Sequence, residues 1–184
     1  MPTLIQDREF FEAGVGGMEA YLLSNELFWP LSGGHSLPRL TIGGLLLAGR
    51  RLRARTTTPA GRDEVNSLEA QLADIRSRWR AAWERKAGRE VHSRLGLWQD
   101  FLAEYQRSPD LHADEYSQEV HERAVLHLLG NEFPSPLDEF RALHDLDQIL
   151  KSHLHPGGFI WEPDLAASFP PDEYWFLYGK LKSS

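Results

Sequence analysis

The chain has 184 residues, 41% apolar and 26% charged, which is the composition and length of one soluble globular domain. Its net charge of −7 is unevenly placed: residues 1–107 sum to +2 and residues 108–184 to −9, so the second half disfavours nucleic acid by repelling phosphate. Cysteine is absent, which excludes disulfides, thiolate metal sites and cysteine nucleophiles and fits a reducing cytoplasm.

The N-terminal stretch Met1 to Glu12 carries Asp7, Glu9 and Glu12 where a secretory signal needs lysine or arginine before an apolar run, so no signal is expected. A first helix is predicted from Asp7 to about Ser24, with Phe11, Val15, Met18 and Leu22 at helical spacing. Gly14, Gly16 and Gly17 interrupt it and are read as points of close backbone approach. Residues 25–39 hold two prolines and a glycine pair but also Phe28, Trp29 and Leu37. They are predicted as an irregular loop pinned to the core by Trp29.

A second helix should open on Thr41 as N-cap after Pro38 and close at Thr56-Thr57-Thr58. Its window Leu40 to Ala48 is the most apolar in the chain, yet about half the length needed to cross a bilayer, so no membrane span is predicted. Arg50, Arg51, Arg53 and Arg55 suit its negative C-terminal end.

Thr58 and Pro59 then start the dominant element, residues 59–106. Val65, Leu68, Leu72, Ile75, Trp79, Trp83, Ala87, Val91, Leu95, Trp98, Leu102 and Tyr105 recur every ~3.6 residues, the period of a straight α-helix rather than of a left-handed coiled coil. A single, kinked helix is preferred over a hairpin turning near Gly88, because the stripe keeps phase through Gly88 and Gly96. Two more helices are predicted, His112 to Leu129 and one opening at Ser135-Pro136 with Asp138 in a capping box. The tail, residues 156–184, is rich in aromatics. It should dock on the body, with a short helix near Asp172 to Tyr178. The fold class predicted is all-α: a single-domain helical bundle of about five helices built around one long helix, with an irregular aromatic C-terminal tail.

Motifs that name a reaction are missing. Ser32 beside Gly33, Gly34 and His35 lacks the nucleophile-elbow context, and Gly14 to Gly17 lacks the lysine-serine ending of a phosphate loop. Six of the eight histidines lie after residue 100 without metal-ligand spacing. Glu115, Glu119 and Glu122 form one helical row. If that row met the next helix, Glu119, Glu122, His144 and Asp147 would offer an oxygen-rich set for a divalent ion. Arg76, Arg78, Arg80, Arg85, Lys86, Arg89 and Arg94 are read as a solvated face. Trp29, Trp161 and Trp175 are candidates for an interaction surface, tryptophan being enriched at binding hot spots.

The preferred reading is a non-enzymatic cytoplasmic scaffold or protein-interaction domain, binding an unknown protein partner or itself, with no cofactor expected. The alternatives are a divalent-metal enzyme or metal-binding bundle using the carboxylate and histidine faces, and nucleic-acid binding through the arginine-bearing face.

Overall fold

The computed structural model describes residues 2–31 and 37–183, and the fold is mostly α-helical with one small two-stranded sheet. The turn expected at Ser32–His35 lies outside the described residues. The chain divides into two compact units, Met1–Glu90 and Val91–Ser184. Among the described residues, no helix is long and apolar enough to cross a membrane.

The first unit opens with α1, Leu4–Leu23. It starts one turn earlier than the apolar spacing suggested, because Thr3 and Gln6 form a capping box: Thr3 Oγ1 accepts from the Gln6 amide at 3.2 Å, and Gln6 Oε1 accepts from the Thr3 amide at 2.8 Å. Helix α2, Ile42–Arg55, begins on the expected N-cap, with Thr41 Oγ1 accepting from the Gly44 amide at 3.0 Å. The two helices lie close because glycines face them. A Cβ on Gly49 would sit 2.6 Å from the Phe11 ring, and one on Gly14 would run into the Leu45 side chain. At the described ends of the intervening segment the backbone pairs: Trp29 and Leu40 exchange amide–carbonyl bonds of 3.0 and 2.7 Å, and the Trp29 side chain is half-buried.

Helix α3, Pro59–Arg78, starts on Thr58, whose hydroxyl accepts from the Gly61 amide at 3.2 Å. Helix α4, Arg80–Arg107, follows after one residue outside helical geometry, Trp79 at φ −111° and ψ 31°. Bonds from the Trp79 amide to Ile75 O and from the Trp83 amide to Trp79 O, both 2.9 Å, carry the i→i−4 pattern across it. Helix α4 runs through Gly88 and Gly96 without a turn, so the hairpin alternative is not formed. Ten of the twelve stripe residues are buried, with Leu68 and Trp79 half-buried.

In the second unit the expected helix His112–Leu129 is broken up at its start. Pro109 restarts the chain as the short α5, Pro109–His112. A 3₁₀ turn covers Ala113–Glu115, and α6 runs Tyr116–Gly130. Helix α7, Glu139–His153, starts after the expected Ser135-Pro136. Asp138 makes no side-chain cap bond; turn bonds from the Phe140 and Arg141 amides to the carbonyls of Leu137 and Asp138 begin the helix instead.

Strand β1, Leu154–Phe159, pairs antiparallel with β2, Tyr178–Leu181, with Leu154 opposite Leu181 and a register slip between Pro156 and Phe159. Gly179 permits this approach, since a Cβ there would meet the His155 carbonyl and lie 3.0 Å from the Leu154 side chain. The short helix expected near Asp172–Tyr178 is a 3₁₀ turn at Trp175–Leu177 leading directly into β2. The tail docks: Trp161, Leu165, Phe169, Tyr174, Phe176 and Leu177 are all buried.

Candidate functional site

The buried charges of this protein are its most specific feature, and each unit has its own set. In the first unit they gather on three helices. Asp7 of α1 is 1% exposed and meets Arg51 of α2, itself 5% exposed, through bonds of 2.6–3.1 Å to Nε and Nη2. Arg55 Nη1 lies 3.3 Å from the same carboxylate and donates to the Pro2 carbonyl at 2.7 Å. The arginines crowding the end of α2 thus act by named pairings as well as by complementing the helix dipole.

Helix α4 closes two helix ends with residues one turn apart. Glu90, fully buried, accepts from the Gly43 amide at 2.8 Å, neutralising an otherwise unsatisfied donor at the N-terminus of α2. Lys86, also buried, donates to Ser24 Oγ at 3.2 Å and to the Glu26 carbonyl just beyond the C-terminus of α1. Its ammonium stands 4.4 Å from the Tyr21 ring centroid. Burial holds the Lys86 ammonium below the usual lysine range; Arg89 pushes the same way and Glu26 opposes. Arg89 adds a bond to the Asn25 carbonyl at 2.9 Å. A carboxyl oxygen therefore accepts at the amide end of α2 and an ammonium donates at the carbonyl end of α1.

In the second unit Arg123 of α6 makes a two-pronged pair with Asp147 of α7, both bonds 2.8 Å. Its guanidinium lies 4.4 Å from the Phe176 ring centroid. The Phe176 carbonyl accepts the Tyr116 hydroxyl at 2.5 Å. Burial raises the Tyr116 phenol far above its ordinary range; the Arg123 charge opposes this and the Asp147 charge adds to it. One turn along α6, the His127 ring packs 4.5 Å from Tyr174 and 6.2 Å from Phe176. Arg94 pairs with Glu122 at 2.7 Å.

The proposed metal set is divided among these pairs. Glu122 is engaged by Arg94 and Asp147 by Arg123. Glu119 stays in the carboxylate row: burial raises its pKa, and Glu122, Glu115 and Glu104 raise it further. His144 is exposed, 3.5 Å from Gln148, and lines an open depression with Pro136, Leu137 and Phe140. Among the described residues, no group of three or more histidines or carboxylates is placed to hold a metal ion.

Of the three tryptophans, Trp29 belongs to the first unit and the others to the second. Trp161 is 6% exposed, and its Nε1 donates to the Ser117 carbonyl at 3.0 Å, which anchors the tail. Trp175 is half-buried with the Lys151 ammonium 4.9 Å from its ring centroid.

Sequence reasoning missed the roles of Asp7, Arg51, Lys86, Glu90 and Arg123. The supposed solvated face does not hold together as one: Lys86 and Arg94 are buried, while Arg78, Arg80 and Arg85 are exposed. A signal was present, since Lys86, Glu90 and Arg94 follow at four-residue intervals beside Trp83, Ala87, Val91 and Leu95, flanking the buried stripe. No protein-family model, no curated protein and no solved structure matches the chain.

Proposed function

We propose that this protein is a non-enzymatic helical scaffold that binds a protein partner or a second copy of itself, working in the reducing cytoplasm. The observation that carries this reading is how the buried charge is spent. Asp7, Arg51, Lys86, Glu90, Arg94 and Arg123 are each bonded to a helix end or to a side chain of another helix. Such pairs add geometric specificity to a framework more than they add net stability. On the second unit large apolar side chains stand in solvent: Leu97 and Leu111 are 51% and 73% exposed. Apolar groups on a rigid helical support are what a binding surface uses.

The test is capture with the tagged protein and a Leu97→Asp, Leu111→Asp variant, together with light scattering on the purified proteins. The reading expects one reproducible stoichiometric partner, or a dimer, that the variant loses while its melting temperature is retained. A wild-type protein that stays monomeric and partnerless, or a variant that keeps its full complement, would count against it.

A further inference from the structure

Helices α1, α2 and α3 of the first unit are unequally held. Helices α1 and α2 each bury eight residues and share the Asp7–Arg51 pair. Helix α3, twenty residues long, buries Val65, Leu72 and Ile75. Much of its remaining attachment is ionic and at the surface. Arg8 meets Glu64 at 2.6 Å, Arg53 Nε meets Glu69 at 3.0 Å, and Arg78 meets Glu19 at 2.8 Å. The Arg53 and Arg78 side chains are 51% and 55% exposed, so these pairs are open to screening. Under its first turns lies an open cleft of about 160 Å³, walled by Leu4, Leu52, Arg55, Gly61, Val65 and Leu68. Both ends of α3 leave helical geometry: Thr56–Thr58 has none, and Trp79 departs from it in φ and ψ while i→i−4 bonds continue across it.

We infer that α3 is a salt-latched flap, which leaves α1 and α2 as one body while unit 1 stays folded and pivots at Thr56–Thr58 and Trp79. Segments with a thin buried face, exposed attachments and terminal joints open at lower free energy than the core they cover. Opening uncovers Leu52 and the apolar edge of α3 itself. The inference rests on packing within this unit and does not depend on the function proposed above.

Native-state hydrogen exchange on the full chain tests it, at low salt and at about 0.5 M KCl, where the screening length falls to about 4 Å. The flap predicts that amides of Leu68–Arg78 exchange at least ~10-fold faster than the slowest amides of α1 and α2, and several-fold faster again at high salt. Arg53→Gln should reproduce the salt effect at low salt, leaving α1 and α2 protection unchanged. Equal protection across the three helices, or α3 exchange that neither salt nor Arg53→Gln alters, overturns the inference.

Discussion

Removing the Asp7 carboxylate should be among the most damaging single changes in the first unit. Asp7→Ala leaves Arg51 buried at 5% exposure without the acceptor of its Nε and Nη2 bonds, and takes one partner from Arg55. An uncompensated buried charge costs about 3–5 kcal/mol, a large share of a typical total of about 5–15 kcal/mol. With an m-value near 2 kcal/mol/M, the urea midpoint should fall by about 2 M. The second half of the cycle is more discriminating. Replacing both groups, as Asp7→Ala with Arg51→Met, removes the desolvation of two ions along with their attraction, so most of the loss should be recovered. Urea unfolding followed by tryptophan fluorescence and circular dichroism gives all four corners. If Asp7→Ala shifts stability by less than ~1 kcal/mol, or if the double variant is as unstable as the sum of its singles, the pair is not the desolvated clamp described here.

Glycine substitutions should part in sign. Gly16→Ala, facing open space on α1, should stabilise by about 0.5–1 kcal/mol, whereas Gly49→Ala should cost about 1–3 kcal/mol by pressing a methyl into the Phe11 ring; thermal melts decide both. Thr41→Ala removes the cap of α2 and should cost ~1 kcal/mol in the same assay. Glu119 carries a raised pKa, so above that value its ionised form weakens the fold. The folded state takes up the proton first as pH falls, and the penalty fades toward and below the ordinary glutamate value. Glu119→Gln should therefore be the more stable protein at pH 7, with the advantage gone by about pH 4, as denaturation across that range would show.

The sequence carried the parts of the fold that depend on local signals. Thr41, Thr58 and Pro59 marked helix starts through capping chemistry, and the 3.6-residue stripe marked the buried edge of residues 59–107, because both effects are written within a few residues. The paired strands were illegible for the opposite reason. Leu154 and Leu181 are brought together by a docked tail, and Pro156-Gly157-Gly158 reads locally as a break. The same limit applied to the charges. Lys86 and Arg94 look like surface residues until their partners at Glu26 and Glu122 are known, and those partners are distant in sequence. Of the expected row, Glu119 and Glu122 share α6 while Glu115 falls in the preceding 3₁₀ turn, and the pairing of Glu122 with Arg94 rather than with His144 is a tertiary fact.

The clamp formed by Lys86 and Glu90 requires that both project from one uninterrupted turn of helix. Backbone chemical shifts and sequential nuclear Overhauser contacts through residues 59–107 test this most directly. Helical values through Ala87-Gly88-Arg89 and through Gly96, with any departure confined to the neighbourhood of Trp79, are the predicted result. Non-helical shifts at Gly88 would place Lys86 and Glu90 on separate segments and contradict the account.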